Sequence, residues 1–212
     1  MNTSRFETLT AETDLGFPEY ETPPPEPTDL IRRWLAEAAD HGVREPRSLA
    51  LATADALGHA SNRIVTFTGF SRRGLVFTSH RGSRKGRELA ATGWASGLFY
   101  WRETGRQLIL SGPVTRLGDA ESDALWAARA APLHPMSAAS RQSEPLTDVP
   151  ALREEARRLA ETGGPLPRPD RFAGYLLSPA DVEFWSADPD RLHRRLRYSR
   201  RPGGWCATRL QP

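Results

Sequence analysis

NRIVTFTGFSRRGLVFTSHRGSRKGRELA, residues 62–90, decides how the rest of the chain is read. NRIVTFTGF (62–70) and GLVFTS (74–79) are short runs of β-branched and aromatic residues, and SRRG between them has the length of a hairpin turn. The chain then turns through a basic, glycine-containing segment into SRKGRELAATG, a short helix capped by Ser83 and stopped by Gly93. Working outward, the same pattern of short strands and tight turns recurs. LALATA (49–54) precedes the hairpin, while ASGLFYWR (95–102) and RQLILSGPVTRL (106–117) follow, joined across ETG as a three-residue hairpin loop. FAGYLLS, DVEFWS, LRYSR and GWCATRL return to strand after residue 171. Helices interrupt this series rather than alternate with it. TDLIRRWLAEAADHG has Thr28 as its N-cap and a stripe of Leu30, Ile31, Trp34, Leu35 and Ala38; DAESDALWAARAA and VPALREEARRLAETGG are two more. The pattern predicts a mainly β, α+β chain: an antiparallel barrel with peripheral helices.

Residues 18–27 hold five prolines, so 1–27 is expected to be an extended or mobile acidic arm and 28–212 the folded domain. A chain of 212 residues buries enough surface to fold without covalent staples. The one cysteine, Cys206, makes no intrachain disulfide and suits a reducing compartment. A polar, acidic N-terminus and the absence of a long apolar run point to a cytoplasmic protein with no membrane span.

The formal net charge is +3 and the pI about 9.5, but position says more than total. Of 29 basic residues 28 are arginine, and Lys85 is the only lysine. Nine of them fall between Arg63 and Arg106 against two glutamates, and six arginines fall between Arg191 and Arg201 with no acid. Two basic clusters far apart in sequence can meet around one anion. In the turn 80–87, Arg81, Arg84, Lys85, Arg87 and, if protonated, His80 crowd the start of a helix. There, free backbone N–H groups would suit a phosphate. No GxGxxG, GxxxxGK[ST] or GxSxG is present, and His41, His59, His80, His134, His193 and Cys206 have no metal-ligand spacing. Arg63 starts an apolar strand, and Gln107 heads another with an amide that can donate and accept. Arg191, His193 and Arg195 alternate, which in a strand puts all three on one face.

These pieces, in this order, resemble the pyridoxine/pyridoxamine 5′-phosphate oxidase family of FMN-binding split barrels. The resemblance is carried by RIV (63–65), GSRKG (82–86), RQ (106–107), RQS (141–143), EFW (183–185), RLHRRLRY (191–198) and RLQP (209–212). It implies an antiparallel six-stranded barrel with peripheral helices, in a homodimer with FMN at the subunit interface. The anion is then the FMN phosphate, clamped by Arg63, Arg84 and Lys85 with Thr78 and Ser79 beside them. Ile64, Val65, Thr66, Thr68 and Gln107 would line the flavin; Gln142, Ser143, Trp185 and Arg195 match further FMN positions, shared between subunits. Arg129, Arg191 and His193 fall on the substrate side.

The chain also departs from the vitamin B6 enzymes of that family. Where they hold the substrate phosphate with a lysine, a tyrosine, an arginine and a serine, this chain has Thr68, Leu125, Arg129 and Leu133. Losing three of four such groups costs several kcal/mol of phosphate binding. Together with FPEYETPP, GVREP, ALATADALG, YWRETGRQLILSG and HPMSAASRQSE, this is similar to the branch of the family that acts in phenazine biosynthesis. The expected reaction is oxidation of a hexahydrophenazine-1,6-dicarboxylate through tetrahydro to dihydro products. Hydride would pass to flavin N5 and O2 would be reduced to H2O2. The alternatives are a vitamin B6 phosphate oxidase, a flavin-binding module without turnover, and a nucleic-acid-binding barrel. The last is disfavoured because aromatic residues do not interleave the basic runs.

Overall fold

The computed structural model describes residues 15–212. Fourteen of the residues expected to form the arm therefore lie outside the description. Along the chain come α1 (Thr28–Asp40), β1 (Ser48–Ala54), β2 (Ala60–Ser71), β3 (Gly74–His80), α2 (Arg84–Thr92), β4 (Trp94–Trp101) and β5 (Arg106–Arg116). They are followed by α3 (Asp119–Ala127), α4 (His134–Ala139), α5 (Val149–Ala160), β6 (Phe172–Leu177), β7 (Asp181–Ser186), β8 (Arg194–Arg201) and β9 (Gly204–Leu210).

All pairings are antiparallel, and the order β4-β1-β2-β3-β6-β5 closes through β4–β5 into a six-stranded barrel. Two long strands make the closure possible. The first half of β2 pairs with β1, then a bulge between Phe67 and Gly69 turns its second half onto β3. β5 is shared in the same way: 106–111 pair with β7 and 114–116 with β6. At the crossing sits Gly112, where a Cβ would come within 2.2 Å of the Ser178 carbonyl oxygen, so only glycine passes. β8 and β9 extend the β5–β7 side outward.

Strand alternation builds the core as the sequence periodicity requires. Leu49 and Leu51 of β1, Leu108 and Leu110 of β5, Phe184 of β7 and Leu196 of β8 point inward, each essentially inaccessible to solvent. β6 is buried on both faces because α3 lies over it, with Leu125 seated against Gly174. Leu125 thus packs against the small cluster of Trp126, Leu166 and Phe172.

α1 has the expected buried stripe, but its N-cap is Pro27, which offers no side-chain bond; Thr28 is already helical. The β4–β5 turn has four residues, 102–105, instead of three, since Trp101 pairs directly with Arg106. α4 escaped the sequence reading: at six residues it is too short to show helical periodicity.

Residues 15–27 are tied down rather than detached. Phe17 is buried edge-on against Trp34, ring centres 5.0 Å apart. The buried Arg106 guanidinium donates to the carbonyls of Leu15 (2.6 Å) and Gly16 (2.9 Å), pairs with Glu37 and stacks over Trp34. Tyr198 donates to the Pro24 carbonyl, and Arg209 to those of Tyr20 and Glu21. Apart from one 3-10 turn at Pro18–Tyr20, prolines keep this stretch out of α-helix and sheet, so several of its carbonyls are left for side chains to satisfy.

Candidate functional site

The helix start that drew attention in the sequence is built as expected, yet its contacts are different. Ser83 caps α2, accepting from Gly86 N–H at 3.2 Å, and Gly93 (φ 63°) ends it. Gly86 is sterically compelled, since a Cβ there would lie 2.4 Å from the Arg81 carbonyl oxygen; α2 consequently sits hard on the 80–82 turn. The N–H groups at this end are largely spoken for, with Arg84 N–H donating to Ser143 Oγ at 3.0 Å. An open backbone cradle for phosphate is therefore not what the turn offers.

Nor do the three cations converge on one point. Arg63 and Arg84 both turn to Glu88, a carboxylate only 5% exposed and absent from the sequence-based site. Arg84 Nε donates to it at 2.8 Å, Ser61 at 2.6 Å, Arg63 at 3.3 Å, and Thr53 adds a further bond. Arg63 also donates to the Leu51 carbonyl and the Thr53 hydroxyl. Burial pushes the Glu88 carboxyl up, but the four donors outweigh it and hold it at about 2.

Lys85 points elsewhere, donating to Ser79 Oγ at 3.0 Å. It has no carboxylate partner among the described residues, and burial, then Arg63, pull its pKa below the ordinary lysine value. It lines a cleft of about 400 Å3 together with Ile64, Val65, Thr66 and Thr68 of β2, Thr78 and Ser79 of β3, and Gln142. Arg129, Leu133 and Ser137 form the facing wall. The bulge after Phe67 is what aims Thr68 here, its hydroxyl donating to the Val76 carbonyl. Arg129 bonds Ser137 Oγ at 3.3 Å, and its Nε is buried without a partner; burial lowers its pKa.

His80 forms part of the same wall but is not a cation. It is 1% exposed, and burial followed by repulsion from Arg171 and Lys85 outweighs a backbone contact at Ser137 and holds its pKa at about 4. In the unfolded chain the value is near 6.5, so the unfolded state binds more protons between pH 6.5 and 4. Stability is then complete above pH 6.5 and is lost as pH falls, by about 2–3 kcal/mol between pH 7 and 4.5. Urea midpoints over that range should drop in the parent and stay nearly level in His80→Asn. Equal slopes would show that His80 is not buried as a neutral ring.

A second constellation lies on β5, β7 and β8. Gln107 of β5 stands opposite Trp185 of β7, which stands opposite Arg195 of β8, so all three share one face. Arg195 Nε donates to Glu183 at 2.7 Å. Arg191 and His193 are not in the strand, which begins at Arg194, so the shared face read from their alternation does not exist. Arg191 sits in the preceding turn with φ 64°, while His193 packs on Trp185 at 4.7 Å and accepts from Asp188 N–H. Ser143 (φ 68°) is the other non-glycine residue in left-handed backbone among the described residues. Such strain persists where surrounding contacts hold it; at Ser143 one of them is the bond from Arg84. Within one chain none of Gln107, Trp185, Arg191, His193 or Arg195 lines the cleft.

Residues 35–162 match the family model described as pyridoxamine 5′-phosphate oxidase, and 172–212 match the pyridoxine 5′-phosphate oxidase C-terminal dimerisation region. Dihydrophenazinedicarboxylate synthase of Burkholderia lata is 55% identical over the full length of both chains, and that of Pseudomonas chlororaphis is 50% identical over 97% of this chain and 93% of its own. The chain belongs to the phenazine-biosynthesis branch of the pyridoxamine 5′-phosphate oxidase family. A pyridoxine/pyridoxamine 5′-phosphate oxidase of Rubrobacter xylanophilus is further off, 43% identical over 89% of this chain and 88% of its own. The crystal structure of PhzG from Burkholderia lata 383, in complex with tetrahydrophenazine-1-carboxylic acid, superposes with a TM-score of 0.93 at 53% identity, covering 95% of this chain and all of that one. Membership makes the chain an oxidoreductase of phenazine biosynthesis, in a family whose members use FMN. Among the described residues no helix is long and apolar enough to cross a membrane.

Proposed function

We propose that the cleft between β2–β3 and α3–α4 holds FMN and substrate together, and that the substrate is a reduced phenazine-1,6-dicarboxylate. One observation carries this reading. Arg129, with a buried unpartnered Nε, and Leu133, an exposed apolar side chain, share a wall opposite Lys85. A cation beside an apolar rim fits a flat carboxylated ring system better than a small phosphate ester. The residues also fit the cofactor. A single lysine without a carboxylate partner among the described residues, flanked by the hydroxyls of Thr66, Thr78 and Ser79, suits a phosphate; Ile64 and Val65 supply apolar surface for a ring.

The chemistry that FMN supplies there is acceptance of a hydride from a ring C–H at N5, the electrons then passing to dioxygen to give hydrogen peroxide. The protein's own share is placement: aromatisation provides driving force, and no side chain has to act as a strong base. Gln107, Trp185 and Arg195 are assigned to the partner side of each site in a homodimer, joined by the 172–212 region, with Arg191 and His193 beside them on the substrate side. That assignment accounts for two constellations that one chain keeps apart.

Arg129→Ala is the test. It should keep full FMN occupancy and a normal flavin spectrum while raising KM for the dicarboxylate about 10–100-fold, the worth of one charge-assisted contact. Loss of the flavin instead would place Arg129 on the cofactor. Bleaching of the parent by anaerobic pyridoxine 5′-phosphate would favour the vitamin B6 reading.

A further inference from the structure

His134 is fully buried, yet it lies outside the cleft and no part of the reaction uses it. Its ring stacks on Trp126, centres 4.2 Å apart and planes 27° from parallel. Nδ1 accepts from Leu166 N–H at 3.2 Å, across 32 residues of sequence. An accepting Nδ1 means that the neutral ring carries its proton on Nε2, and Nε2 lies 3.0 Å from the Arg129 carbonyl oxygen. Trp126 Nε1 in turn donates to the Leu166 carbonyl at 2.6 Å. Both backbone polar groups of Leu166, its N–H and its C=O, are thus gripped by the two stacked rings, and the far end of the imidazole holds Arg129.

This clasp closes the segment 126–134, which carries both Arg129 and Leu133. The opposite wall of the cleft is fixed by strand pairing, but this one has no ladder. Arg129 follows the C-terminus of α3, and among the described residues its side chain makes a single 3.3 Å bond, to Ser137, and its Nε has no partner. The direction of the guanidinium is accordingly set by the backbone beneath it. We propose that His134 is a positioning residue: through its Nε2–H bond to the Arg129 carbonyl it sets the Arg129 guanidinium toward the substrate carboxylate. This deepens the reading of Arg129 given above and rests on it.

The test uses FMN-loaded protein and phenazine-1-carboxylate as probe, its affinity read from the perturbed flavin spectrum, with FMN stoichiometry followed alongside. His134→Phe keeps the stacking and the volume but removes both hydrogen bonds. His134→Gln keeps an acceptor and a donor side by side. Expected are probe binding about tenfold weaker in His134→Phe with FMN content unchanged, and binding within about twofold of the parent in His134→Gln. A double variant with Arg129→Ala should bind no more weakly than Arg129→Ala alone, because His134 acts through that side chain. If His134→Phe binds like the parent, or if its loss adds in full to that of Arg129→Ala, the positioning role is overturned and the Arg129 reading stands. Should His134→Phe fail to fold, a tenfold loss in His134→Gln would overturn the role equally. Unaltered binding in Arg129→Ala would overturn the carboxylate reading and the positioning role with it.

Discussion

Glu88→Ala is expected to lower the free energy of unfolding by about 3 kcal/mol, read as a fall in urea midpoint at unchanged slope. Nothing in the size of the side chain calls for such a loss; the cause is charge. Glu88 is 5% exposed and receives Ser61, Thr53, Arg63 and Arg84. Its removal leaves two hydroxyls short of an acceptor and strands Arg63, whose side chain is 19% exposed, without a counter-charge. Breaking a buried pair by deleting one partner costs about 3–5 kcal/mol, and the lower end applies because Arg84, at 57% exposed, can turn to water. Glu88→Gln retains an acceptor and should lose about half as much. A loss below about 1 kcal/mol in the alanine variant would mean that water already reaches Arg63 freely. Since the Glu88 carboxyl sits near 2 when folded and near 4.5 when free, the stabilisation is fully present above pH 4.5 and disappears as pH falls through 2. That window lies below the one in which His80 acts, so the two effects separate on a pH axis.

Glu88 also shows where sequence reading ran out. Strands and the α2 caps were legible because they depend on local pattern: alternation in β1, a serine before SRKG, a glycine after the helix. The direction of a long side chain is not local. Arg63, Arg84 and Lys85 look alike in a string, but Arg84 and Glu88 stand one helical turn apart while Arg63 reaches Glu88 from β2, and only the barrel brings that side chain within reach of α2. A clue was present, since Glu88 is one of only two acids among the nine cations between Arg63 and Arg106. His134 gave none, because its partners Trp126 and Leu166 meet it only once α3, α4 and the segment before β6 have packed. Alternation of Arg191, His193 and Arg195 misled for the converse reason: period two means a shared face only inside a strand, and that strand starts at Arg194.

The separation of the three cations makes the largest functional prediction specific to one of them. Lys85→Met should weaken FMN binding about 10–100-fold, measured by equilibrium titration of apoprotein with FMN, and should leave the fold as stable as before or slightly more so. Lys85 is half-buried and next to Ser79, and Arg63 repels it, so in the absence of an anion the charge is held at a cost. A phosphate reverses that balance, and the whole gain appears as affinity. Arg84 starts from the opposite condition. Its charge is already matched by Glu88, so a phosphate gains less from it, and Arg84→Ala should weaken FMN by under about tenfold. If instead Arg84→Ala costs as much as Lys85→Met, the free arms of Arg84 must reach the phosphate past Glu88. In Glu88→Gln, where that competing carboxylate is gone, FMN should then bind more tightly than in the parent. If Arg84→Ala is mild and Glu88→Gln leaves FMN affinity unchanged, the lysine alone provides the charge at the phosphate, and the Arg63–Glu88–Arg84 network serves to hold α2, and with it Lys85, against the strand that forms the cleft.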